Sequence, residues 1–309
     1  MLHQNVYIEF TDCFQVRTDS ATLALAPADQ AMHPRHSQVV YYANFLRFMA
    51  HGREAALGAA LLSQLRSEAL RPVVLSIASG RLASPAVLGD ELAVRSHVVA
   101  ADSTRLTWRH SVAPAAGASK PHASADVEIA FVDARGAVVP LPVHLAQETA
   151  ALPPLPPLPP LAPYADNPAV AVTRVIPFSD ELGPGGVPSE TDVLRFFERN
   201  RTDAISGTAG LRALQAAGVL VVVTSVGPMR LDPAAAAAAA AAHALAPLTV
   251  RSGIVLKRRA TFIVFRQELY SATGALLAQG EVTCACVSAA DMKLTPAPLD
   301  LAARLAGAA

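Results

Sequence analysis

Hydrophobic positions along this chain switch from a helical to a strand period twice, in the same order each time. Between 41 and about 65, apolar residues fall three to four apart, with Phe45, Phe48, Met49 and Ala56 on one stripe. That is the period of a helix with one buried face. The stretches 72–82, 90–101, 104–112 and 125–133 are rich in Val, Leu and Ile and read as strands, and ARGAV (134–138) is a turn into the closing segment. The order then recurs. AVAVTRVIPF (169–178) reads as a strand and GPGGVPSE (183–190) as a loop. A helix is expected to open near Ser189 or Thr191, where Glu190 and Asp192 suit its positive end, and to run to about 217. The stretches 218–231, 247–258, 260–272 and 275–289 follow as antiparallel strands, with SATGA (271–275) as a hairpin turn.

The recurrence reaches individual residues. FLRFMAHGR (45–53) and VLRFFERNR (193–201) share Leu-Arg-Phe and a closing arginine, Arg53 and Arg201, 148 positions apart. LAVRSHVV (92–99) and LTVRSGIV (248–255) share five residues at an offset of 156. TWRHSV (107–112) faces VFRQEL (264–269), with Arg109 against Arg266, and VVPLPVHL (138–145) faces KLTPAPLDL (293–301). Motifs in one order with one insertion between them point to an internal duplication, and the alanine run at 234–242 falls in the interval where the offset grows. The expected division is a first copy at 1–150, a linker at 151–166 and a second copy at 167–309. The linker holds ALPPLPPLPPLAPY (151–164), whose proline pairs favour an extended polyproline II spacer. Each copy is α+β, one long helix and an antiparallel sheet. A sheet wrapped on a single helix keeps an open edge that a fused second copy can cover, so the chain reads as a pseudo-dimer, with a homodimer of such chains open.

Composition narrows the function. Of 309 residues 52% are hydrophobic and 16% charged, with net charge zero, so a full core is affordable and the basic stripe of a nucleic-acid binder is missing. The start, MLHQNVYIEF, lacks a basic and then apolar leader, and the apolar runs at 219–227 and 234–248 are too short or too polar to span a bilayer. A cytoplasmic chain is expected. Three cysteines, Cys13, Cys284 and Cys286, make no disulfide framework and read as free thiols. No metal-ligand spacing occurs and no cofactor is expected.

The loop and helix carry the family signal. VTRVIPFSDELGPGGVPSETDVLRFFERNRTDAI (172–205) resembles the hotdog-fold acyl-thioesterase superfamily of the 4-hydroxybenzoyl-CoA thioesterase type. VVYYANFLRFMAHGREAAL (39–57) is similar to the hotdog thioesterases of enediyne polyketide pathways, through Val40, Tyr41, Tyr42, Ala43, Asn44, Phe45, Arg53 and Glu54. The resemblance covers nearly the whole chain and implies a tandem (double) hotdog, each half a long central helix wrapped by an antiparallel sheet. It implies a thioesterase acting on acyl-CoA or an acyl carrier protein, plausible in polyketide metabolism, with a loop acid a few positions before Gly186-Val187. That position falls on Asp180 or Glu181, depending on where one inserted residue is placed; a solvated acidic turn capping the helix is the plainer alternative. Hydrolysis needs a carboxylate to attack or to activate water, donors for the oxyanion, and an apolar tunnel; a helix N-terminus and the glycines around Gly186 supply donors.

The other candidates have weaker grounds. Glu198 fits loosely the helical glutamate of another branch, or is a partner of Arg195 or Arg201. His51 stands three residues after Phe48 as a titratable group beside the expected tunnel, or as a structural histidine. Tyr42 and Asn44 open the first helix, and Arg53 and Arg201 are structural or anchor a pantetheine arm. In the first copy the family acid aligns on Arg35, which cannot act as a base; Asp29, Gln30 and Asp12 are the nearest alternatives, and His33 and His36 flank Pro34-Arg35. Lys257-Arg258-Arg259 is a strand end, or meets phosphates or an acidic carrier. A dehydratase would carry H-x-x-x-G-x-x-x-x-P, which does not follow His33 or His36. An acyltransferase or a non-catalytic acyl-thioester binder stays open.

Overall fold

Cross-strand pairing shows how the repeated motifs are used. The computed structural model describes residues 41–87, 90–115, 120–165, 171–178, 181–182, 187–242 and 246–307, and residues 10–15 as backbone. The chain forms two compact units, Met1–Val73 with Gly80–Asp133 and Val138–Pro157, and Leu158–Ala309 with Val74–Ser79 and Ala134–Ala137.

The first unit holds β1 (Phe10–Gln15), helix α1 (Tyr42–Ser67), β3 (Glu91–Ala101), β4 (Arg105–Pro114), β5 (Ala123–Val132), the short β6 (Val138–Val139) and α2 (Val143–Thr149). Strand β2 (Arg71–Leu82) leaves α1 and passes through both sets of residues. The sheet is antiparallel, in the order β1-β3-β4-β5, with β6 beside β5. On β4, Leu106, Trp108, His110 and Val112 are buried while Arg109 between them is exposed and ion-paired to its cross-strand partner Asp126 at 2.8 Å. Alternation of this kind is what a strand with one face on a helix requires. Helix α1 supplies that helix, burying Phe45, Met49, Arg53, Leu57, Leu61 and Leu65 at four-residue spacing.

The second unit repeats the plan with β7 (Ala171–Val175), α3 (Glu190–Ala204), α4 (Gly207–Ala216), β8 (Val219–Leu231), α5 (Pro233–Ala242), β9 (Leu248–Lys257), β10 (Phe262–Tyr270), β11 (Leu276–Ser288) and α6 (Leu299–Leu305). Its antiparallel order is β8-β11-β10-β9-β7. Phe265 takes the place of Trp108 as a fully buried ring, and Arg266, like Arg109, pairs with an acid directly across the sheet, Glu281 at 2.9 Å.

The single helix expected between 189 and about 217 is two helices. Ser206 and Gly207 take left-handed φ values of 72° and 65°, which end α3 and start α4 in a new direction. Serine competes poorly for helical backbone and glycine accepts positive φ without a Cβ clash, so the break falls at the Ser-Gly pair. The same break exists in the first copy, where Gly58 sits at φ 79° inside α1, 148 positions before Ser206 and at the motif's own offset. The closing segments carry unexpected helices too, α2 and α6, each preceded by a proline at equivalent repeat positions, Pro142 and Pro298. A fixed φ with no N–H suits the entry to a helix, whose first amides have no intrahelical acceptor.

Residues 151–164 form neither helix nor strand beyond a turn at their start. Ala101 N–H donates to Pro153 O (3.0 Å) and Arg105 Nη2 to Pro156 O (2.9 Å) in the first unit; Tyr164 N–H donates to Glu268 Oε1 (2.7 Å) in the second. Among the described residues no helix is long and apolar enough to cross a membrane.

Candidate functional site

The loop entering α3 ends in a capping box. Ser189 Oγ accepts from Asp192 N–H (3.2 Å), and the Asp192 carboxylate accepts from Ser189 N–H (3.2 Å) and from the Ser189 hydroxyl (2.5 Å). Reciprocal capping satisfies amides that the first helical turn leaves open and fixes the chain's entry angle. Asp192 is nearly buried, and Arg195 reaches its other oxygen at 3.4 Å. Burial raises its proton affinity above the usual aspartate range; the Ser189 hydrogen bonds and Arg195 pull it back, and the nearby charge of Glu181 raises it further.

Glu181 lies beside this cap, also buried, and both carboxylate oxygens are held. One pairs with Arg199 from α3, and the other accepts from Phe178 N–H at 2.9 Å. The Arg199 guanidinium lies over the rings of Phe178 (5.3 Å) and Phe196 (5.5 Å). Glu181 is thus near enough to the positive end of α3 for its charge to act on Asp192, and Glu190 is buried in the same first turn. Val187 is buried there against Ala236 and Ala237 of α5, the alanine run inserted in the second copy. Asp180 and Gly186 lie outside the described residues, as do Arg35, Asp29, Gln30, His33 and His36. Glu198 is half-buried further along α3, where its charge and that of Arg201 act on the buried Cys284 thiol.

The remaining candidates belong to the first unit's helix or to the cores. Tyr42 is half-buried with its ring 4.8 Å from that of Tyr41, and Asn44 is buried, its N–H donating to Tyr41 O at 2.9 Å. His51 is on the exposed side of α1. Arg53 and Arg201 are both buried. Arg201 donates to Gln267 Oε1 at 2.6 Å, and Gln267 Nε2 donates to Phe197 O (2.9 Å) and Asn200 Oδ1 (3.1 Å), which also accepts from Ser252. In the first unit Arg53 contacts His110 Nε2 at 3.3 Å, and His110 Nδ1 contacts Ser96 Oγ at 2.7 Å. His110, Gln267, Asn200 and Arg199 were not singled out from the sequence. For His110 and Gln267 a signal exists: a polar residue on the apolar side of an alternating strand. Arg199 had none, since its partner is 18 residues away in a loop.

Residue by residue, each copy is a helix held against a run of antiparallel strands through an arginine and an inward polar strand residue. Solved structures share this architecture over about nine tenths of the chain. A Lactobacillus plantarum protein assigned as an oleoyl thioesterase aligns at TM-score 0.64 over 92% of this chain and 98% of its own, at 9% identity. The chain is a double hotdog.

The 12:0-ACP thioesterase of Umbellularia californica aligns over 90% of the double hotdog and 94% of its own chain (TM-score 0.62, 9% identity). An acyl-ACP thioesterase of Bacteroides thetaiotaomicron aligns over 92% and 100% (TM-score 0.59, 9% identity). No protein-family model and no curated protein matches the sequence of this double hotdog. At such identity the likeness is one of fold.

Proposed function

We propose that this double hotdog hydrolyses an acyl thioester carried on CoA or an acyl carrier protein, with its working site at the loop entering α3. The observation that supports it best is the pair of buried carboxylates, Glu181 and Asp192, at a helix N-terminus in a fold shared with thioesterases. The α3 N-terminal amides and dipole would favour the anionic oxygen that develops as the carbonyl becomes tetrahedral. A carboxylate would take a proton from water as its oxygen bonds to the carbonyl carbon; the C–S bond then breaks, the thiolate leaves and is protonated. Asp180 and Glu181 are the acids that the family resemblance nominates, with Glu198 a weaker third. Asp192 joins them because it is buried in the first turn of α3 near Glu181, and burial raises its proton affinity above the usual aspartate range. Val187, Gly186, Tyr42, Asn44, Arg53, Arg201 and His51 remain candidates for holding or assisting the acyl-pantetheine. The likeness of 39–57 to enediyne-pathway thioesterases favours a polyketide acyl group.

A second reading is a non-catalytic acyl-thioester binder. The closure of Glu181 by Arg199 and Phe178 N–H favours it, as does that of Asp192 by Ser189 and Arg195, since a carboxylate with both oxygens occupied is a poor nucleophile or base. Thiol release from short, long, aromatic and β-keto acyl-CoAs and acyl-pantetheines separates the two. Turnover that disappears in Asp180→Asn, Glu181→Gln or Asp192→Asn but persists in Glu198→Gln supports hydrolysis at the loop. Binding of acyl-pantetheine without release from any substrate sinks the hydrolase reading.

A further inference from the structure

The turn Ala134–Ala137 belongs to the first copy's sequence, between β5 and β6, yet it lies in the second compact unit. There it meets the first turn of α5. A Cβ on Gly136 would overlap the Pro233 carbonyl oxygen and stand 2.6 Å from its carbon and 2.9 Å from Ala234 Cα. All three are backbone atoms, so no flexible side chain could swing aside. Gly136 also has φ 78°. The duplication shows which of the two demands calls for glycine. At the offset of 156 that relates Pro142 to Pro298, the counterpart of Gly136 is Met292, left-handed as well at φ 59°. The second copy's turn thus carries a full side chain in this conformation, 40% exposed. The backbone of α5 is what sets position 136 apart, because among the described residues the first copy has no counterpart of α5 to meet Met292.

Helix α5 is fixed at this same end by a cap. Asp232 Oδ1 accepts from Ala235 N–H (2.9 Å), and Asp232 N–H donates to Leu277 O of β11 (2.8 Å). The cap ties the helix to its own sheet, and the Gly136 turn stands against its first backbone atoms. One turn on, Ala236 and Ala237 close on Val187 in the loop entering α3. The 10 residues of α5 make a rod about 15 Å long, so a shift at its first turn is carried to the Val187 contact. We propose that Gly136 is a positioning residue: it lets the first copy's turn act as the stop for α5, and so sets the longest acyl group that the second copy's loop site takes. This rests on the loop site proposed above and names what limits its substrate. Gly136 acts through α5, not on the reacting atoms. The first copy then serves the second copy's site through a bare turn, whichever acid carries the chemistry.

Hydrogen exchange on the full chain reads α5 without reference to catalysis. Gly136→Ala is expected to lower the protection of α5 amides about tenfold while α3 amides keep theirs. Gly136→Met, which installs the second copy's residue, should do more. Met292→Gly alters the equivalent turn away from α5 and should leave both helices as they are. Steady-state kinetics over a ladder of acyl lengths reads the consequence. In Gly136→Ala the KM of the longest acyl group should change about fivefold or more, with the shortest within about twofold, since one methylene in an apolar pocket discriminates by at least that much. If no substrate releases thiol, the hydrolase reading falls by itself, and the same ladder is read as affinity for acyl-pantetheines. If Gly136→Ala fails to fold, one glycine inserted after Gly136 loosens the stop without adding a Cβ and should move the same two readouts. A folded variant of this turn with unchanged α5 protection overturns the proposal, as does a change in KM or affinity that is uniform along the ladder.

Discussion

Arg201 donates to Gln267 across the core of the second unit at 2.6 Å, joining the helix of the repeated motif to the inner face of β10. The contact is buried on both sides, so neither group has water to fall back on. Arg201→Met should cost about 2–4 kcal/mol, because it strands the Gln267 carbonyl and a planar guanidinium has no substitute there. Arg201→Lys should recover little. Arg201→Met with Gln267→Leu should not recover this loss, since Gln267 Nε2 also donates to Phe197 O and Asn200 Oδ1, and the double change removes that donor from both. Urea midpoints of the three variants check the order.

Gly52, one residue before Arg53, has the same structural logic. A Cβ there would stand 2.9 Å from Ser96 Oγ and 3.1 Å from Val94 Cγ1. The equivalent position in the second copy is Asn200, whose side chain bonds Ser252 and Gln267. Absence of a side chain at Gly52 leaves Ser96 to His110 instead. Gly52→Ala is expected to lower stability by about 1–3 kcal/mol through overpacking. Thermal unfolding of the purified variant measures it; a loss smaller than a few tenths would mean that α1 shifts to make room.

Much of this architecture was legible because the duplication let each copy check the other. The strands came from period-2 patterning, and their cross-copy register from Arg95-Ser96 against Arg251-Ser252. The helix break at Ser206 was not legible, although Gly58 stood at the same offset, because one glycine inside an apolar period is a weak signal. The candidate site was legible only where chemistry coincides with a local motif. Ser189-x-x-Asp192 announces a cap, and the resemblance nominates Asp180 or Glu181. The Arg199 to Glu181 closure depends on how a loop returns to its own helix, which no local pattern encodes. His110 and Gln267 were visible only as polar interruptions of buried strands.

The raised proton affinity of Asp192 gives the proposed hydrolysis a pH signature. A carboxyl whose folded pKa is raised is protonated at acid pH and becomes a base as pH rises through its folded value. Turnover should therefore climb along an ascending limb placed above the ordinary aspartate range, and Asp192→Asn should remove the limb with about a hundredfold or greater loss in kcat. Ser189→Ala removes a cap worth about 1 kcal/mol and the hydroxyl that holds Asp192, so the limb should move to higher pH in a chain that still folds. A pH–rate profile of each variant decides; an unchanged limb in Asp192→Asn would assign it to another acid, Asp180 or Glu181.

Cys284 and Cys286 are buried, and burial pushes both thiols up to about 11. A thiol reagent attacks the thiolate, so near pH 8 only about one part in a thousand of each is reactive even where it is reachable. Neither should react in the native chain on the time scale of minutes, and both should react at once in denaturant. Counting thiols with a chromogenic reagent before and after adding guanidinium checks this. Fast native reaction of two or more thiols would mean that β11 opens.

Ala236 and Ala237 of α5 pack on Val187, beside the loop that carries the proposed chemistry. Helix α5 falls where the second copy is longer than the first, so the double hotdog has a wall at this loop without a counterpart in the other half. Alanine leaves the most room beside Val187 that a helix-favouring side chain allows. Ala236→Leu adds three carbons to a packed contact and should cost about 1–3 kcal/mol in stability. Under the hydrolase reading it should also raise KM for the longest acyl chains while short-chain turnover stays near wild type, because extra volume beside Val187 shortens the space open to the acyl group. Steady-state kinetics over a ladder of acyl lengths reads this directly. A uniform change across the ladder would mean that the Val187 contact supports the fold and not the acyl chain.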